Sequence, residues 1–225
     1  MSRPGSTERL VAELVDALEP VRPIAALRWQ LAGLAGAWLV TAIAVAAWQG
    51  VHPAVVLGRG AASAGVFAGL ALLAVSGLAG ALVVRVPGRE RLGALAAAGG
   101  VLSLGVLLAV WVGLLGTSMA VSLQPSQDIG CTASASLFSL PAGVLAGVLA
   151  MRAVAWRPVA TGFALALGAS ASGAVLTHLS CASDEPWHWL FGHALGPMLV
   201  GVAAGAALVW LLDRQRRRAA AAVRS

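Results

Sequence analysis

Residues 60–84 read GAASAGVFAGLALLAVSGLAGALVV, a stretch with no charged side chain. Its length falls within the roughly 17–25 helical residues that cross a hydrocarbon core. Five further uncharged runs follow the same pattern: Leu31–Trp48, Leu92–Leu123, Thr132–Met151, Pro158–Leu179 and Trp189–Leu212. Hydrophobic residues make up 59% of the chain and charged residues 11%, with a mean hydropathy of +0.87. A soluble domain carries about a quarter charged residues, so this chain lacks the polar surface to cover itself in water. The fold class is therefore all-α: a polytopic membrane protein with a bundle of six transmembrane helices.

The run beginning at Leu92 exceeds one span. A helix near Leu92–Thr117 followed by a loop over Ser118–Gly130 keeps the later arginines on one side. Arginine is the strong cation here, because lysine is absent. Fourteen arginines fall before the first run, in alternate loops and in the tail; the other loops carry only Arg59, together with Asp128, Asp184 and Glu185. Positive residues mark the cytoplasmic side, which puts both termini in the cytoplasm. The net charge of +6 thus belongs to topology rather than to nucleic-acid binding. Three parts follow: a cytoplasmic head over 1–28, a six-helix membrane domain over 29–212 and a basic cytoplasmic tail over 213–225. The first 27 residues hold four acids and no long apolar core, which argues against a cleavable signal peptide.

The spacings Gly65-x-x-x-Gly69, Gly143-x-x-x-Gly147 and Gly201-x-x-x-Gly205 suit close helix packing, within the bundle or across a dimer face. Trp29, Trp48, Trp156, Trp187, Trp189 and Trp210 fall at predicted helix ends, where an aromatic belt is expected. No Asp, Glu, Arg or Lys lies inside a predicted span, and no phosphate loop, H-E-x-x-H, C-x-x-C or serine elbow is present. The expectation is a binding protein without enzymatic activity or cofactor. Two readings from other classes are a small-solute permease and a membrane thiol oxidoreductase.

The head has helical periodicity. Leu10, Val11, Leu14, Val15 and Leu18 fall within an arc of roughly 140°, with Arg9, Glu8, Glu13, Asp16 and Glu19 opposite. Ser6 or Thr7 can cap this helix and Pro20 limits it. So short a helix is marginal alone in water, so its apolar stripe needs a partner. The alternatives are the groove of another protein, the bilayer surface and the chain's own loops. Because surface helices are usually basic and this one is acidic, the groove is favoured, with Glu13 and Asp16 meeting its rim.

Cys131 is expected just before the fourth helix and Cys181 just after the fifth, both on the outer face. Trp156 lies midway between them in sequence, so arms of equal length bring both thiols to one depth, roughly 36 Å from the turn. Three alternatives remain at this level: a disulfide, two unrelated buried thiols, or soft-metal capture by Cys131 and Cys181 with His178 and His193 as auxiliary ligands.

The chain resembles the NrsF-type membrane anti-sigma factors, named for the negative regulator of sigma F. The residues that carry the resemblance are Cys131 followed by Leu140-Pro141, the Arg157-Pro158 turn, the small-residue helix reaching His178 and Cys181, and Leu195-Gly196. Leu18–Pro23, at the end of the acidic helix, also fits. Two places depart from it: Cys181-Ala182-Ser183-Asp184-Glu185 stands where Cys-Pro-Glu is frequent, and Gly192-His193 where an aromatic pair often precedes Leu-Gly. The resemblance implies a six-helix inner-membrane protein whose head holds an extracytoplasmic-function sigma factor. It also implies that Cys131 and Cys181 sense metal or oxidative stress. The partners expected are thus that sigma factor and the lipid bilayer, with no direct contact to nucleic acid; the sequence leaves homo-oligomerisation open.

Overall fold

The computed structural model describes residues 9, 11, 13, 25–52, 60–116, 125–152, 155 and 157–222. All regular structure among them is helical, and six helices are long and apolar enough to span a membrane. They are α1 (Leu27–Gln49), α2 (Ala61–Val84), α3 (Glu90–Leu115), α4 (Pro125–Met151), α5 (Pro158–Ser180) and α6. The last begins with one α-turn at Pro186–His188, widens to a π-helix over Trp189–Leu195, and continues as α-helix over Gly196–Ala222.

Local chemistry accounts for several boundaries. Pro87-Gly88 closes the α2–α3 turn, where Gly88 has φ +84°, a left-handed conformation that suits glycine. Pro158 occupies the first turn of α5, where its missing N–H leaves no helical bond unmade. Pro197 accounts for the widening of α6. Its ring cannot tolerate the carbonyl four residues back, that of His193, so the preceding turn opens. Gly196 then bonds to the carbonyl of Phe191, five residues back.

The helices α2 and α5 form the centre. Leu70, Leu82, Ala81, Val66, Ala174 and Leu176 are buried there. Their backbones meet at Gly77 and Gly168: a Cβ built on Gly77 would stand 2.7 Å from the Gly168 Cα and from the Ala164 carbonyl oxygen. Small residues permit such contact, and dispersion drives it where no hydrophobic effect separates helix from lipid. The spaced glycines seat side chains within the same bundle, Gly69 against Leu107, Gly143 against Ala169 and Gly205 against Phe163. By contrast α1 and α3 leave Leu39, Val40, Ile43, Val101, Leu102, Leu108 and Val112 exposed. In water such a surface would drive aggregation; in lipid it is the solvated face. An apolar cleft of about 470 Å³ separates part of α1 from α2, lined by Leu31, Trp38, Phe67 and Val75 among others.

Several expectations are corrected here. The loop foreseen over Ser118–Gly130 is helical from Pro125, so Asp128 and Cys131 lie inside α4 and not before it. Residues 117–124 are outside the described set. Trp187 and Trp189 are not interface anchors: each is only 2% exposed, packed inside the bundle. Trp29 and Trp48 are exposed at the ends of α1, as a belt requires, whereas Trp210 is exposed inside α6, which continues to Ala222. Trp156 and Arg59 are outside the described residues. At its far end, α6 runs on through the arginine-rich segment to Ala222.

In the head, Arg9, Val11 and Glu13 are helical and exposed, with Arg9 and Glu13 paired at 3.6 Å one turn apart. Leu10, Leu14, Val15, Leu18 and Asp16 lie outside the described residues.

Candidate functional site, a buried thiol and imidazole cluster

One end of the bundle gathers polar side chains from four helices. Asp128, Cys131 and Thr132 sit three and four residues apart, hence on one face of α4. Gly192 of α6 lies against that face: a Cβ there would meet the Asp128 Cα at 3.3 Å and the Cys131 Cβ at 3.4 Å. Thr132 donates to the Gly192 carbonyl at 3.3 Å. Cys181 follows the last residue of α5, its N–H bonded to the Thr177 carbonyl at 2.9 Å. The loop after it is held down by Trp189, whose indole donates to the Ser183 carbonyl at 2.7 Å.

The two sulfurs stand 3.9 Å apart, with no disulfide between them. Nε2 of His188 is 3.4 Å from each. Its other nitrogen, Nδ1, lies 2.6 Å from Asp128 Oδ1. His193 completes the group: one donor atom from each of Cys131, Cys181, His188 and His193 falls within 4.8 Å of the others. Behind His193, its Nδ1 faces Nδ1 of His178 at 2.9 Å, and Nε2 of His178 meets Ser63 Oγ of α2 at 2.9 Å. Trp189 stands edge-on to His178, with ring centroids 5.7 Å apart. All three histidines are at most 1% exposed.

The thiol of Cys131 donates to the Cys181 sulfur and so holds the Cys181 thiol below its ordinary value; burial opposes this, while His188 and His193 add to the lowering. Ser183 N–H also points at that sulfur, at 3.4 Å. The thiolate is the reactive form of either member of the pair. Two chemistries are open to the cluster. Rotation of the side chains can close the sulfur–sulfur gap to the roughly 2.05 Å of a disulfide. Alternatively both sulfurs and both imidazoles can face one soft or borderline cation.

The expected pair, Cys131 and Cys181, is thus brought together. Of the two expected auxiliary histidines, His193 faces the thiols, whereas His178 bonds to His193 and stands one layer behind. Sequence reasoning missed His188, which stands just before the uncharged run Trp189–Leu212 and so falls in a loop on that reading, and Asp128, read as a loop charge. The α-periodicity hides His188. Five residues on an α-helix leave two side chains about 140° apart, whereas a turn closed by i→i+5 bonds returns the chain to nearly the same face. Pro197, four residues after His193, was the available signal.

A family model described as negative regulator of sigma F matches residues 14–214, most of the chain. No curated protein and no solved structure gives a significant match. The match spans both cysteines, the whole of α1 to α5 and most of α6. The chain belongs to the NrsF family, the negative regulators of sigma F.

Proposed function

We propose that this protein is a membrane-bound anti-sigma factor of the extracytoplasmic-function class. It sequesters its sigma factor at the bacterial inner membrane through the acidic helix of the head, using Leu10, Val11, Leu14, Val15 and Leu18 as anchors and Glu13 and Asp16 as rim charges. Both termini are cytoplasmic in this reading, because fourteen of the fifteen arginines then face inward. The thiol cluster lies at the periplasmic end, where disulfide chemistry is permitted.

The observation that carries the sensing half is the 3.9 Å approach of Cys131 to Cys181 inside a shell of imidazoles. A thiol at that distance from a partner of lowered pKa is poised to respond as a pair. An oxidant, such as a quinone or another disulfide, takes two electrons and two protons and leaves a sulfur–sulfur bond. A thiophilic cation takes the thiolates and leaves two protons in solvent. Either event changes how α4, the end of α5 and the start of α6 are tied, and sigma is released. The protein acts by binding, not by turnover.

Capture of the sigma factor by membranes carrying the full chain tests this. Wild-type protein retains sigma, Leu14→Glu loses it with unchanged membrane insertion, and a thiol oxidant releases it from wild type but not from Cys131→Ser. Retention of sigma by Leu14→Glu removes the head from the reading. Release from Cys131→Ser at wild-type oxidant levels removes the thiol pair.

A further inference from the structure

We propose that Cys131, Cys181, His188 and His193 form a closed tetrahedral site for one zinc-class divalent cation, with Asp128 and the His178–Ser63 pair positioning the two imidazoles. The argument is geometric. Two thiolates bound at about 2.3 Å to one tetrahedral ion lie about 3.8 Å apart, and a thiolate and an imidazole nitrogen bound at about 2.0–2.1 Å lie about 3.5 Å apart. The observed separations are 3.9 Å between the sulfurs and 3.4 Å from each sulfur to His188 Nε2. The fourth donor is within 4.8 Å of the rest. A disulfide alone would need no such edges, and a stray pair of buried thiols would need no imidazole equidistant from both.

The layer behind the donors has the chemistry of a metal site. A ligating histidine usually donates its other N–H to a carboxylate or comparable acceptor, which fixes the tautomer and aims the bare nitrogen. Asp128 does this for His188. For His193 the neighbour in that position is Nδ1 of His178, at 2.9 Å, and His178 Nε2 in turn meets Ser63 Oγ at 2.9 Å. Two hydrogen-bond directions satisfy this chain. In one, His193 keeps its proton on Nε2 and points it at the Cys181 sulfur, while Ser63 donates to His178. In the other, His193 carries the proton on Nδ1, its Nε2 is bare, and Ser63 accepts. A cation selects the second. Binding therefore fixes the direction of the relay, and its last member, Ser63, lies on α2, the helix at the centre of the bundle.

Two neutral imidazoles and two thiolates make a neutral site with a divalent ion, which suits a buried position better than thiolates alone. Four protein donors leave no open position, as in structural rather than catalytic sites. Two sulfur and two nitrogen ligands in tetrahedral array select zinc, cadmium or cobalt over magnesium or calcium. The geometry stands without the sensing reading; it rests on that reading only for what the ion controls.

The test uses the full chain purified in detergent, stripped by a chelator and titrated with cobalt(II) under reducing conditions. The expected result is one ion per chain, the intense visible bands of tetrahedral cobalt, thiolate-to-cobalt charge transfer, and displacement by zinc. His188→Ala and His193→Ala each alter the spectrum. Asp128→Asn and His178→Asn keep the wild-type spectrum and weaken binding by about 10–100-fold. An octahedral spectrum, absent thiolate charge transfer, or indifference to both histidine substitutions overturns the site. Alkylation of the wild-type thiols, which does not depend on a variant folding, gives a second readout: zinc protects both cysteines, and equal labelling with and without zinc overturns the site. Sigma capture measured on the same preparations separates the two readings. Tetrahedral cobalt without sigma capture sinks the anti-sigma reading alone; sigma capture without tetrahedral cobalt sinks the site alone.

Discussion

The two ends of α2 are both buried and polar, and they differ in where their polar groups point. At one end Ser63 touches the imidazole relay, and four donors from α4, α6 and the end of α5 face a common centre. At the other, Arg85 is 2% exposed, and its guanidinium donates to the Leu149 carbonyl of α4 and to Gln30 Oε1 of α1. Its Nε reaches the Leu82 carbonyl at 3.3 Å. There the hydrogen-bonding capacity is spent on neutral oxygens of neighbouring helices, so the cluster is a clamp. At the Cys/His end the groups bond to one another around a common centre, two thiols and two imidazoles whose atoms are all capable of binding a soft cation, so the cluster can exchange those bonds for a ligand. Burial of polar groups alone does not distinguish the two; the direction of their lone pairs does.

Three substitutions probe that difference, beginning with the one expected to matter most. Both ends depend on the contact of α2 with α5, where a Cβ on Gly168 would stand 2.6 Å from the Leu78 nitrogen. Backbone cannot yield as a side chain can, so Gly168→Val is expected to cost more than the roughly 1–3 kcal/mol of ordinary overpacking. Thermal unfolding in detergent should show it, with cobalt binding and Arg85 clamping lost together. If Gly168→Val keeps the cobalt spectrum and melts like wild type, the crossing is not what holds the two ends.

Arg85→Ala comes next. It strands Gln30 and the Leu149 carbonyl in a buried place, a loss of about 1–3 kcal/mol per unsatisfied group. The melting temperature should fall while the cobalt spectrum keeps its shape and affinity. A changed spectrum would mean that the clamp and the Cys/His cluster are not separable, contrary to the comparison. The smallest effect belongs to Ser63→Ala. It removes one hydrogen bond, worth about 0.5–1.5 kcal/mol, from the far end of the relay. Cobalt affinity should drop severalfold at unchanged spectrum, less than for His178→Asn. An effect as large as that of His193→Ala would make Ser63 part of the ligand shell and break the layered account.

Much of the architecture was legible because lipid imposes a simple rule. A backbone in hydrocarbon must satisfy its own hydrogen bonds, so each uncharged run of sufficient length is a helix. Boundaries were less legible at α4, where Pro125–Gly130 reads as a polar loop yet forms the first helical turns. The equal depth of Cys131 and Cys181 followed from hairpin arithmetic, since equal arms reach equal depth; their approach to 3.9 Å did not, because depth says nothing of which way each helix is turned. The crossing at Gly77 and Gly168 did not follow, because neither lies in the spaced-glycine patterns and nothing in a single helix says which face meets which neighbour. His188 stayed hidden for a local reason: its partnership with His193 needs a π-turn, and α-periodicity places the two apart.

By itself, then, the sequence determined the solvent, the number of membrane-crossing helices and the depth of the two thiols. Those depend on composition, run length and rise per residue, which are properties of the chain alone. Tertiary structure decided which side chains share a centre. Helix rotation, the widening of α6 ahead of Pro197 and the seating of Gly192 against α4 bring His188 and His193 to the thiols and leave His178 behind. These are packing outcomes of several helices at once, and no one segment encodes them.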